Sequence, residues 1–84
     1  MLTILYFAWV REKVGTGEER VDPPSELTTA RALAGWLAGR SEGHRAALGD
    51  LARLRVAVDQ EFAGPDASIA GAREVAFFPP VTGG

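Results

Sequence analysis

A chain of 84 residues with a net charge of −2 and no cysteine makes one small domain around one core, with no room for a cofactor domain beside a catalytic one. Charges of both signs are scattered along it, which argues against an electrostatic grip on nucleic acid or on an anionic membrane. The lack of cysteine excludes a disulfide framework, a thiolate metal site and a cysteine nucleophile. No window approaches the roughly 20 apolar residues that span a bilayer, and the N-terminus has no basic region of the signal-peptide kind. The expectation is a cytoplasmic protein with no membrane or nucleic-acid partner.

Leu2 to Val10 reads as a first strand. Leu2, Ile4, Tyr6 and Ala8 fall on one face and Thr3, Leu5, Phe7 and Trp9 on the other. Both faces are apolar, so both are covered or one awaits a partner. Arg11-Glu12-Lys13 turns polar, Val14 to Gly17 reads as a loop, and Glu18 to Val21 as a short, charged edge strand. A helix follows, capped by Thr28 or Thr29, with Ala30, Leu33, Ala34, Trp36 and Leu37 as its apolar stripe. Gly35 interrupts that stripe at a position where close packing on the sheet would explain it.

A shorter helical stretch spans His44 to Leu54, with Ala47, Leu48 and Leu51 inward. His44, the only histidine, reads as a surface or helix-start residue, and Glu18, Glu19 and Glu42 as solvated. Leu54 to Val58 is a third strand, Asp59-Gln60 a tight turn, and Glu61 to Ala63 a brief fourth strand. Gly64-Pro65-Asp66 turns, and Ala67 to Ala70 reads as a single helical turn. Glu74 to Phe78 is the last strand, with Val75 and Phe77 on one face and Ala76 and Phe78 on the other. Two strands, one helix, then two or three strands with the last beside the first is an α+β arrangement of the β-grasp (ubiquitin-like) type. It predicts a mixed sheet of four to five strands with one main helix packed on one face.

The last strand runs into Pro79-Pro80-Val81-Thr82-Gly83-Gly84. Proline offers no N–H and ends the ladder, and two in a row favour a stiff, extended exit. Gly83 and Gly84 have no side chains, so the end fits a slot too narrow for other residues. The predicted division is a β-grasp domain over 1–80 and a flexible tail over 81–84 that delivers a carboxylate into another protein's active site. No Ser/His/Asp set, phosphate loop or metal-ligand cluster competes with it. A carboxylate activated by ATP becomes an acyl-adenylate, and a sulfur nucleophile can then leave a thiocarboxylate, which is a good sulfur donor.

Leu5-Tyr6-Phe7-Ala8, Val10-Arg11-Glu12, Val14-Gly15, Val58-Asp59-Gln60 and the whole of Glu74 to Gly84 resemble the small subunits of molybdopterin synthase, the MoaD type. The resemblance covers the chain in order and length, and it is most specific over the last eleven residues. It implies a ubiquitin-like sulfur carrier that is not an enzyme on its own but the sulfur-donating subunit of a sulfurtransferase complex, whose active-site pocket belongs to the large subunit. Gly84, with Gly83, would be the reactive end, adenylated by an activating enzyme that uses ATP and magnesium and then sulfurated from a persulfide donor. The product would donate sulfur to cyclic pyranopterin monophosphate in molybdenum cofactor biosynthesis, within an assembly of two small and two large subunits. This chain would bind no cofactor or metal itself. Pro79, Pro80, Val81 and Thr82 match the threaded tail, Phe7 and Phe78 the hydrophobic partner surface, and Arg11 a candidate interface position. Asp59 stands where asparagine is common in the family, and Ala72-Arg73 replaces an acidic turn. A carrier for thiamine, cysteine or tRNA thiolation would share the Gly-Gly end, and a ubiquitin-like interaction module that is never activated is a third reading.

Overall fold

A computed structural model describes residues 1–80. Five strands, β1 (Leu2–Tyr6), β2 (Glu18–Val21), β3 (Arg55–Val58), β4 (Glu61–Ala63) and β5 (Glu74–Phe78), form one sheet in the order β2-β1-β5-β3-β4. β1 and β5 are parallel neighbours at its centre, with Thr3 opposite Glu74 and Tyr6 opposite Phe77, and the other pairings are antiparallel. This is the expected mixed β-grasp sheet. The helical layer is fuller than expected: α1 (Ala8–Val14), α2 (Ala30–Ala38), α3 (Glu42–Leu48) and a 3₁₀ turn at Leu51–Arg53.

The core lies between sheet and helices. Leu2, Ile4 and Tyr6 of β1 and Val75 and Phe77 of β5 meet Ala30, Leu33, Ala34 and Leu37 of α2 and Ala47 and Leu48 of α3, all buried. The alternation in both central strands therefore sends one set inward and leaves Leu5, Ala76 and Phe78 on the face without helices. Thr29 is the N-cap of α2, its hydroxyl accepting from the Ala32 N–H at 3.1 Å.

Three expectations are corrected. The first strand ends at Tyr6, not Val10. Ala8 adopts a left-handed φ of 55°, which ends the extended run, and α1 buries Val10 and closes on Gly15 at φ 98°. The segment Ala67 to Ala70 is not a helical turn. It lies extended against the start of α2, where the Ala67 and Pro65 carbonyls accept from the N–H groups of Ala30 and Arg31, and the Ile69 N–H donates to the Thr28 carbonyl. The first N–H groups of a helix have no partner within it, and this loop supplies acceptors. Gly35 is exposed and a Cβ there would meet nothing; the close approach is at Gly43, where a Cβ would collide with the Lys13 carbonyl oxygen of α1.

The solvated readings of Glu19 and His44 are also corrected. His44 does start a helix, but it is buried. Its Nε2 lies 2.7 Å from Glu19 Oε2, which also accepts from the Tyr6 hydroxyl at 2.6 Å. A side chain in the first turn of an amphipathic helix can face the core, and this one finds a carboxylate there.

Candidate functional site: a phenylalanine-lined face at the root of the tail

β5 is a central strand whose last residue, Phe78, lies opposite Arg55 of β3. Both its neighbours hold it, so Pro79 leaves the domain from a fixed point. Pro79 is half-buried and Pro80 exposed. Around that exit the helix-free face of the sheet is apolar. Leu5, Phe7, Ala57, Ala76, Phe78 and Pro79 line a shallow concavity of about 480 Å³. Ala76 is buried there beneath its larger neighbours although no helix covers it.

Phe7 and Phe78 are thus brought to one surface, as the alternation requires. Phe7 reaches it from the junction of β1 and α1, where its own carbonyl accepts from the N–H groups of Val10 and Arg11. Arg11 is exposed on α1 with its guanidinium against Gly17, and it lines neither this concavity nor its neighbour. Val81, Thr82, Gly83 and Gly84, which carry the predicted threading and chemistry, lie outside the described residues. Among the described residues no group of three or more histidine, aspartate or glutamate side chains is placed to hold a metal ion.

Phe62, on β4, is 84% exposed and packs on Phe78 with ring centroids 5.7 Å apart. With Arg55, Ala63 and Phe78 it lines a second concavity of about 350 Å³. Neither Phe62 nor Arg55 stands out in the sequence as a site residue. Phe62 is the middle residue of a three-residue strand, too short for a period to show, and its pairing with Ala57 places it on the helix-free face. Contiguous exposed apolar surface is uncommon on monomeric proteins, and here three phenylalanines, one of them almost wholly solvated, share one face.

Asp59 and Gln60 turn β3 into β4 with φ of 49° and 70°, the left-handed pair that a two-residue hairpin demands. The Asp59 carboxylate also accepts from the N–H groups of Arg73 and Glu74 at 2.9 and 3.0 Å. Aspartate therefore fastens the hairpin to the start of β5, the strand that carries the tail.

Comparison with known proteins agrees with this architecture. Over its full 84 residues the chain is 42% identical to the molybdopterin synthase sulfur carrier subunit of Escherichia coli and 34% identical to that of Haemophilus influenzae, each matched over its entire length. SAMP1 of Haloferax volcanii superposes with a TM-score of 0.77 at 27% identity, covering 99% of this chain and 98% of that one. A putative molybdopterin converting factor, subunit 1, of Pyrococcus furiosus gives 0.66 at 21% identity, over 95% and 97% of the two chains, a likeness of fold. The ThiS family model matches residues 4–84, from β1 through the last glycine, and the chain belongs to the ThiS family.

Proposed function

We propose that this chain is the sulfur-carrier small subunit of a molybdopterin synthase, a cytoplasmic protein that has no activity alone and supplies sulfur inside a complex with a large subunit. The end-to-end match to two proteins of that name carries the reading. The geometry supports it, because the strand leading to the tail is pinned on both sides and emerges through an apolar face fit to bind another protein.

The chemistry proposed for Gly84 begins with its carboxylate attacking the α-phosphate of ATP on a magnesium-dependent activating enzyme. Pyrophosphate leaves and the acyl-adenylate forms. The outer sulfur of a persulfide donor attacks the acyl carbon, AMP leaves, and a thiol cleaves the resulting acyl disulfide to release the thiocarboxylate. Inserted into the large subunit, that sulfur attacks a side-chain carbon of cyclic pyranopterin monophosphate and displaces an oxygen substituent from it. Water then hydrolyses the acyl–sulfur bond, which leaves the sulfur on the pterin and returns the carboxylate. A second loaded carrier repeats the transfer for the other sulfur. Gly83 and Gly84 leave the acyl carbon open to attack. Two small subunits with two large ones is the proposed assembly.

Incubation with the activating enzyme, ATP, magnesium and a persulfide donor tests the first half. Intact-protein mass is expected to rise by one oxygen-to-sulfur exchange, and an unchanged mass would return the chain to the class of plain interaction modules. Membership of the ThiS family also admits a carrier for another thiolation route. Co-purification with a molybdopterin synthase large subunit separates the two, and its absence favours the second.

A further inference from the structure

Arg55 stands at the edge of the docking face, and among the described residues no carboxylate pairs with it. The ion pairs among the described residues are Arg31–Asp66, Arg40–Glu19 and His44–Glu19. Arg55 is in none of them; its guanidinium Nη1 donates to the Leu54 carbonyl at 3.2 Å, and the residue is exposed. The register sets it directly opposite Phe78, the wall shared by the two concavities and the last residue before the tail's prolines. A protein that receives the tail must come down on Phe78, and in doing so it covers the concavity that Arg55, Phe62 and Ala63 line.

Covering a guanidinium with apolar surface strips its water without replacing it, and an ion desolvated in this way opposes association. The same ion opposite a carboxylate gains a charge-assisted hydrogen bond and speeds encounter. We propose that Arg55 is a specificity residue for the large subunit, and that the surface receiving the tail carries an aspartate or glutamate side chain beside the apolar patch that covers Phe62 and Phe78. This rests on the sulfur-carrier reading given above. The large subunit, rather than the activating enzyme, is the occupant because a lasting assembly uses broad apolar contact. Three exposed or half-exposed phenylalanines suit that more than a passing encounter.

Titration calorimetry of the chain against the large subunit, at low and high salt, tests this. Arg55→Glu is expected to weaken binding by at least about tenfold, Arg55→Lys by less, and the difference from wild type is expected to shrink as salt rises. Arg20→Glu makes the same change in net charge at an exposed position of edge strand β2, opposite Thr3, and is expected to bind within about twofold of wild type. Arg55→Glu binding as tightly as wild type, or Arg20→Glu losing as much as Arg55→Glu, overturns the proposal. So does an Arg55→Glu chain that docks normally but is activated poorly by the adenylating enzyme. If wild type itself does not bind the large subunit, the molybdopterin-synthase reading falls and this proposal falls with it. Far-UV circular dichroism and urea midpoints of each variant establish that the fold is intact.

Discussion

Glu19 Oε2 accepts from Tyr6 of β1 and from His44 of α3, while Arg40, just beyond α2, lies 3.9 Å from Oε1. One carboxylate thus joins the sheet to two elements of the helical layer. A carboxylate only accepts, so His44 Nε2 carries a proton. The Ser41 hydroxyl, which caps α3 by accepting from the His44 N–H, lies 2.7 Å from His44 Nδ1. Burial pushes the Glu19 carboxyl up, but the hydrogen bonds from Tyr6 and His44, with the charges of His44 and Arg40, outweigh it and hold the group below its ordinary value of 4.5. Burial first, then the bond and charge of Glu19, push the Tyr6 phenol well up, so it stays a neutral donor. A depressed carboxylate stabilises the fold above its unfolded pKa and loses that contribution as pH falls through the folded one. Glu19→Gln is therefore expected to cost about 1.5–3 kcal/mol near neutrality. The gap from wild type should be complete above pH 4.5 and narrow on further acidification. Urea unfolding across pH measures it, and a gap that does not narrow would mean that the charge is immaterial.

Glycines set the spacing of the helical layer, and the one that matters is not the one the pattern singles out. Gly35 breaks the apolar stripe of α2, yet it faces solvent; Gly43, in the first turn of α3, is where α3 passes over the end of α1. Gly35→Ala is expected to stabilise by about 0.5–1 kcal/mol, because a helix interior gains from losing glycine's freedom. Gly43→Ala should destabilise by about 1–3 kcal/mol, since the Lys13 carbonyl must move. Paired urea midpoints check both, and equal effects would remove the contact between α1 and α3 as the cause. β1, β3, β5 and α2 are legible in the sequence because their apolar residues keep a period, and the short β2 and β4 are legible from the turns that bound them. α1 is not, because Ala8-Trp9-Val10 continues the alternation of β1 and no proline or glycine marks the switch at Ala8. The spacing of Val10 and Val14 ahead of Gly15 is its only local mark. Phe7 and Phe78 reach one face by alternation alone. Phe62 and Arg55 reach it through the register of β4 on β3 and β3 on β5, which no local pattern encodes.

Across the whole molecule, holding the fold and presenting the tail fall to different residues. The core residues of β1 and β5 point toward the helices, so the opposite face is free to be shaped for docking at little cost to stability. Phe62 shows this separation, since a side chain 84% exposed gains little by folding and much by being covered. Phe62→Asp is expected to leave the urea midpoint nearly unchanged and to weaken binding to the large subunit by about 2 kcal/mol or more, as loss of a docking-surface aromatic does. Phe78→Asp should lose docking too, with some stability, because that ring is half-buried between its neighbours. Deletion of Gly84 is the complement: the domain and its docking face remain, so folding and affinity should stay within about twofold of wild type while sulfur transfer disappears. Measured together by denaturation, calorimetry and mass spectrometry, the three variants separate folding, docking and transfer. Loss of folding on removing Gly84 would contradict the division into a folded anchor and a tail, and transfer surviving without it would place the reactive end elsewhere in the chain.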